Sequence, residues 1–196
     1  DAQALLLMFQ QLGASGICPA ETKLHSHGQP VSEVFLIEAG LVKFSRNDGN
    51  GCEVIITQRS AGTLLGAAAV MHRKVAAITA VTLTECRMHR CAAPVFSQQM
   101  ETDREFSLCV TRTISRQYYE LLEHLALIAK TPVRARLAQY LLELSQTTAP
   151  LPDGTLRMQL PFNQVFLAGW LAVSEEHLSR TFSALAKAGV IRLDKG

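Results

Sequence analysis

The sequence lacks the features that would place it in several large classes at once. No apolar run approaches about 18 residues, so no membrane-spanning helix and no membrane partner are expected. There is no Cys-x-x-Cys pair. Cys18, Cys52, Cys86, Cys91 and Cys109 are odd in number and scattered, which excludes zinc-ribbon and thioredoxin-type motifs and leaves them as small buried hydrophobes. The opening Asp1-Ala2-Gln3-Ala4-Leu5-Leu6-Leu7 has no basic start of a secretory signal, so a cytoplasmic location is expected. It also has no Met, so the native start is expected upstream. A large excess of one charge is missing too. The net charge is +2, and with 48% hydrophobic and 18% charged residues the chain is a folded one, not a disordered one.

What is present changes texture along the chain. Residues 1–12 carry Leu5, Met8, Phe9 and Leu12 at helical spacing. From 17 to 91, short β-branched or alternating runs follow one another: Val34–Ile37, Leu41–Phe44, Val54–Thr57 and Ala77–Val81. Gly28, Gly40, Asp48-Gly49-Asn50-Gly51 and Gly62 punctuate them. Many short strands with glycine turns predict an antiparallel roll or sandwich, and Asp-Gly followed by Asn-Gly predicts a hairpin. From about 101 to 130 the pattern is helical. Ile114, Tyr118, Leu121, Leu125 and Ile128 recur at intervals of four and three, a coiled-coil seam on a helix too long for one small roll to cover. This predicts a homodimer.

The charge balance shifts after that helix. Eleven basic residues face twelve acidic ones up to Ala129, and eight face five from Lys130 onward. The C-terminal part is therefore the better partner for a polyanion. Thr131-Pro132 reads as N-cap and first residue of a helix carrying Leu137, Tyr140, Leu141 and Leu144. Asn163 reads as the cap of a short helix holding Val165, Phe166, Leu167, Ala168 and Leu171. Ala172-Val173-Ser174 makes a tight turn, and Ser174 caps a second helix with Leu178, Phe182 and Leu185 inward, closed by Gly189. Val190-Ile191 reads as a following strand. Two short helices joined by about three residues fit a helix-turn-helix, and equally a helical hairpin in an ordinary core. In the first case Glu175, Glu176, His177, Ser179 and Arg180 point into a major groove, while Gln164 and Ser174 lie at helix starts where phosphates are held.

The segment Leu167-Ala168-Gly169-Trp170-Leu171-Ala172-Val173-Ser174-Glu175-Glu176-His177-Leu178-Ser179-Arg180 resembles the helix-turn-helix of the CRP/FNR transcription regulators, with Ala172 in place of that motif's glycine. Leu185–Ile191 fits its continuation. Gly28-Gln29-Pro30 with Val34–Lys43, and Gly62-Thr63-Leu64-Leu65-Gly66, resemble the family's β-roll. The resemblance implies an α+β protein: a β-roll effector-sensing domain over 1–100, a dimerisation helix over 101–130, and a winged helix-turn-helix over 131–196. It implies a homodimer on double-stranded DNA, with RNA polymerase as a further partner. It also implies that Glu176, Ser179 and Arg180 read an inverted repeat of a TTGAT-like half-site. Glu175 stands where the CRP side of the family has an arginine, which argues against TGTGA.

The chain departs from the family at the effector. By the resemblance the pocket runs through Leu65, Gly66 and Ala67 to Lys74 and Val75. Ala67 replaces the glutamate that takes the ribose, and Lys74-Val75 the Arg-Ser pair that takes the phosphate, so cyclic AMP is not expected. Cys18 alone near the N-terminus does not make an iron–sulfur cluster. Haem stays an alternative, with His25, His27, His72, His89, Cys86 and Cys91 as ligand candidates, and the cofactor is left unassigned. No metal site and no nucleophile–base pair emerges from spacing, so no enzyme is expected. The competing reading is a ligand-binding module that no longer reads DNA, since Glu175 and Glu176 repel phosphates.

Overall fold

The computed structural model describes residues 2–47, 53–146, 148–160 and 164–194. The chain divides into two compact units, Asp1–Leu122 and Glu123–Gly196.

The first unit opens with helix α1 (Ala2–Leu12) and continues through strands β1 (Ala14–Cys18), β2 (Lys23–His25), β3 (Glu33–Ala39), β4 (Val42–Asn47), β5 (Glu53–Arg59) and β6 (Leu64–Leu65). A short helix α2 (Ala67–Met71), strands β7 (Thr79–Thr82) and β8 (Cys86–Ala92), and helices α3 (Ala93–Thr102) and α4 (Arg104–Lys130) follow. The strands form two four-stranded antiparallel sheets, ordered β1-β8-β3-β6 and β2-β7-β4-β5. This is the antiparallel roll the glycine-broken runs predict. β4 and β5 pair as a hairpin, from Val42 opposite Arg59 to Asn47 opposite Glu53. The turn expected at 48–51 lies outside the described residues.

Alternation along β3 divides the core between two faces. Phe35 and Ile37 point between the sheets with Val42, Phe44, Leu65, Ala80, Cys86 and Met88. Val34 and Leu36 point to the other face, where Leu5, Phe9, Leu64, Ala67, Phe96, Phe106 and Val110 close over them. Phe9, Phe96 and Phe106 meet there with ring centroids 5.6–6.4 Å apart. α1, α3 and the start of α4 are thus fixed by one aromatic cluster, whose pairs are worth about 0.5–1.5 kcal/mol each beyond burial.

Polar groups fasten α4 to the edge of the roll. β6 is an edge strand, and the Gln117 carboxamide takes the place of a missing neighbour: Leu64 N donates to Oε1 at 2.9 Å and Nε2 donates to the Leu64 carbonyl at 3.2 Å. Arg59 pairs with Glu120 at 2.8 Å and donates to the Gln117 carbonyl. Arg116 pairs with Glu120 at 3.0 Å and donates to the Gly62 carbonyl.

The second unit holds the end of α4, then α5 (Val133–Ser145), α6 (Gln164–Trp170) and α7 (Glu175–Lys187). Pro132, not Thr131, occupies the N-cap of α5, one residue later than expected. Its carbonyl accepts from the Ala135 and Arg136 amides. Val190-Ile191 is not a strand. Ile191 packs on the helical core, and the described residues of the second unit form no strand for this segment to pair with.

Candidate functional site

The three helices of the second unit enclose Leu137 and Tyr140 from α5, Leu167 and Ala168 from α6, Leu171, and Leu178, Phe182 and Leu185 from α7. Trp170 stacks between Tyr140 and His124, at 5.3 and 5.0 Å between ring centroids. Burial pushes the Tyr140 hydroxyl up to about 12, with Glu143 adding in the same direction. Val165 is exposed, and the inward set of α6 begins at Phe166. Asn163, the expected cap of α6, lies outside the described residues.

The turn between α6 and α7 is made by Leu171 to Ser174. The Val173 amide donates to the Ala168 carbonyl and the Ala172 amide to the Gly169 carbonyl, both at 3.0 Å. Ala172 takes a left-handed backbone, φ +52°, at the position where the resembled motif has glycine. Ser174 is extended and caps α7, its hydroxyl accepting from the His177 amide at 3.2 Å. Glu175 and Glu176 stand in the first turn of α7, where carboxylates favour the positive end of the helix dipole.

With Leu178, Phe182 and Leu185 turned inward, α7 leaves Ser174, Glu175, Glu176, His177, Ser179 and Arg180 exposed together, and Gln164 is exposed at the start of α6. Glu176 and Arg180 lie one turn apart, their charged atoms at 3.6 Å. Both side chains are largely exposed, so this pair is weak, about 0.3–0.5 kcal/mol. A cleft of about 290 Å³ opens beside it, lined by Val133, Arg134, His177, Arg180, Thr181 and Ala184. Sequence reasoning missed Arg134 and Thr181. Arg134 carried one signal: a cation in the first turn of a helix opposes the helix dipole. Thr181 is buried and donates to the His177 carbonyl at 2.8 Å, so its place here is structural.

The residues read as an effector pocket fall into different settings. Leu65 is buried between the sheets, and Ala67 is buried in the aromatic cluster on the other face. Gly66 joins them at φ +81°, and a Cβ there would meet Val31 Cγ1 at 2.9 Å and the Glu33 carbonyl at 3.0 Å. Lys74 and Val75 are exposed. A cyclic phosphate needs charged donors converging on a sheltered point. Ala67 in an apolar cluster and Val75 at the surface do not supply them, so these residues do not fit that group.

The seam on α4 also resolves differently. Ile114 packs on the core of the roll, and Leu121 and Ile128 are half-buried, whereas Tyr118 and Leu125 are exposed. Leu108, Tyr119 and Leu122 are exposed as well. The outward stripe is therefore Leu108, Thr111, Ser115, Tyr118, Leu122 and Leu125, at intervals of three and four, rotated from the one read in the sequence.

Of the haem candidates, Cys86 and Cys91 are buried thiols pushed up by burial, and burial holds the His25 imidazole down. His89 is buried with Nε2 2.9 Å from Glu38, while His72 is exposed. Among the described residues no three His, Cys, Asp or Glu gather as a metal site.

Comparison with known proteins agrees with this architecture. The cyclic nucleotide-binding domain family matches residues 18–103, and the Crp-like helix-turn-helix domain family matches residues 135–196. A CRP-like cAMP-activated global transcriptional regulator of Mycobacterium tuberculosis is 24% identical over 176 residues, 90% of this chain and 79% of the relative. The cAMP-activated global transcriptional regulator CRP of Haemophilus influenzae is 23% identical over 176 residues, 88% of this chain and 77% of the relative. Among solved structures, the c-di-GMP responsive global regulator CLP of Xanthomonas campestris superposes with a TM-score of 0.80 at 18% identity, covering 98% of this chain and 96% of that one. FixK2 of Bradyrhizobium japonicum superposes with a TM-score of 0.74 at 15% identity, over 94% and 90%. A roll, a long helix and a capped helix-turn-helix in this order, matched at both ends by the corresponding domain families, place the chain in the CRP/FNR family of DNA-binding transcription regulators.

Proposed function

We propose that the protein acts as a homodimer on an inverted repeat in double-stranded DNA, each α7 reading one half-site. The observation that carries this is the exposed face of α7: Glu176, Ser179 and Arg180 at i, i+3 and i+4, turned away from a core that holds Leu178, Phe182 and Leu185. Arg180 pairs with a guanine edge, Glu176 accepts from a cytosine amino group, and Ser179 lies near a thymine; the resemblance to the FNR side of the family implies TTGAT and not TGTGA as the half-site. Gln164, Ser174 and Arg134 hold the flanking phosphates, and His177 faces the groove beside Glu176. Arg134 and Arg180 share one cleft at the start of α5, the positive end of its helix dipole. An anion there relieves both the repulsion between the guanidiniums and the clash of Arg134 with the helix dipole.

The exposed stripe of α4 is the dimer contact in this reading, and RNA polymerase is the machinery such a regulator must reach. The site of action is the cytoplasm, where the DNA is; no helix among the described residues is long and apolar enough to cross a membrane. The roll senses something other than a cyclic mononucleotide. The two curated relatives named above are cAMP-activated and CLP is c-di-GMP responsive, but the anchors here are Ala67 and Val75. The function is binding, not catalysis.

Selection from a random DNA pool tests the reading. Recovery of an inverted repeat whose guanine preference relaxes in Arg180→Ala is expected, at a loss of about 1–3 kcal/mol per half-site. Recovery of no inverted repeat, or of one indifferent to that change, overturns it.

A further inference from the structure

We propose that Cys18 and Cys86 form an oxidisable dithiol that closes to an intramolecular disulfide when the protein meets a peroxide. The two residues are direct cross-strand partners in the β1–β8 ladder. Opposed residues of an antiparallel pair have Cα atoms about 4.5–5.5 Å apart, inside the 4.4–6.8 Å span that a disulfide bridges. They also share a face: Cys86 is part of the core between the sheets, and Cys18 packs against that core. The two sulfurs sense each other. Burial is the main cause that pushes the Cys86 thiol up, and a charge on Cys18 adds to it.

Access and shelter are divided between them. Cys18 is half-buried at the end of β1, where a small oxidant reaches it, while Cys86 is buried. The backbone makes room for the Cys86 sulfur. Gly40 turns the chain from β3 to β4 at φ +97°, and a Cβ there would lie 2.6 Å from Cys86 Sγ and 2.8 Å from its Cα. Only weak contacts hold that sulfur, to the Leu41 and Thr84 carbonyls at 3.3 and 3.4 Å. It exchanges them for the Cys18 sulfur at little cost. Cys91 and Cys109 differ: both are buried in the other cluster, and Cys91 opposes Val34 in the β3–β8 ladder. The sequence leaves the cysteines as small buried hydrophobes; this one pair has a reaction as well.

The chemistry balances with hydrogen peroxide as oxidant. The Cys18 thiolate attacks one peroxide oxygen, the O–O bond breaks, and hydroxide leaves and is protonated to water. Cys18 is now a sulfenic acid. The Cys86 sulfur attacks the Cys18 sulfur, the S–O bond breaks, and the thiol proton of Cys86 leaves with the hydroxyl as a second water. Two thiols and one peroxide give one disulfide and two waters. Thiols reverse it by exchange.

The test uses the full reduced chain, treated with hydrogen peroxide, blocked with a maleimide, digested and mapped by mass without reductant. A peptide joining Cys18 to Cys86, lighter by two hydrogens and split by dithiothreitol, is expected. Closing this loop constrains the unfolded chain, so the oxidised protein melts about 5–10 °C higher than the reduced one. Cys18→Ser, at the more accessible position, loses both the linked peptide and the melting shift. Cys86→Ala gives a second check where Cys86→Ser fails to fold. Cys18 driven to sulfinic acid with Cys86 still alkylatable after unfolding overturns the proposal. So does a disulfide from either residue to Cys52, Cys91 or Cys109, or the absence of reaction at peroxide levels that oxidise glutathione.

Discussion

Ala172 holds the tightest backbone of the helix-turn-helix at φ +52°, where an L side chain crowds its own carbonyl. The left-handed region costs a non-glycine residue about 1–2 kcal/mol, and only part of that is offset by the extra entropy glycine has when unfolded. Ala172→Gly therefore raises the stability of the second unit by about 1 kcal/mol, read as a higher melting temperature; an unchanged or lower one shows that the turn tolerates alanine without strain. At the neighbouring cleft, Arg134 and Arg180 separate by their readouts. Arg134→Ala weakens all sequences about equally and lowers the slope of log affinity against log salt by about 1, because it removes one phosphate contact. Arg180→Ala changes the preference at one base pair. A base-specific effect of Arg134→Ala moves that residue into the groove. The roll supplies the opposite case. With Ala67 buried among apolar groups and Val75 exposed, calorimetry with cyclic AMP shows no heat of binding at micromolar protein, and a micromolar Kd overturns the placement of the phosphate at residues 74–75. Ser174 as a cap was visible in the sequence, since a serine before an amphipathic run has one physical use. The strain at Ala172 was visible only by analogy, and Arg134 only as a cation misplaced in a first helical turn, because its cleft exists only once α5 lies beside α7.

At the level of elements, α4 shows how periodicity identifies a helix and leaves its rotation open. Apolar residues at 108, 110, 114, 118, 119, 121, 122, 125 and 128 support more than one series at intervals of three and four. Packing chooses between them. Phe106, Cys109, Val110 and Thr113 face the roll, Ile114 lies against its core, and Gln117 completes the edge of β6. What remains outward is the stripe through Tyr118, Leu122 and Leu125. No one-dimensional pattern reveals that Gln117 is bound to a strand edge. The strands were easier, because glycine and Asx turns mark their ends. Val190-Ile191 misled because a β-branched pair suits a strand, while Ile191 is used as a core plug. The rotated stripe makes a two-sided prediction. Leu122→Glu with Leu125→Glu yields folded monomers in sedimentation, since each leucine buried at an interface contributes about 1.5–3 kcal/mol. Ile114→Ala leaves the dimer intact and lowers the melting temperature, at a cost of about 2 kcal/mol. A dimer that survives the double change places the interface elsewhere.

For the whole molecule, two-fold symmetry sets the decisive experiment. The segment from Lys130 onward carries eight basic residues against five acidic ones, an excess too small to hold DNA by charge alone, and Glu175 and Glu176 reduce it locally. Specific affinity must then come from two α7 helices engaging two half-sites at once. Two-fold helix-turn-helix dimers meet successive major-groove faces about 34–36 Å apart, one turn of the duplex, so the half-site centres lie about ten base pairs apart. Five base pairs inserted at the centre of a selected site turn one half-site to the opposite side of the DNA and add roughly 17 Å. Both half-site sequences remain intact, and every contact of a single α7 is still available. Affinity nonetheless falls by about 100-fold or more, toward that of a lone half-site, because the dimer can seat only one subunit. Monomers made by the Leu122 and Leu125 changes show no such spacing dependence and bind both sites alike. Should the inserted site bind the wild type as well as the original, the two reading helices are not held by a fixed dimer, and α4 loses the role given to it here.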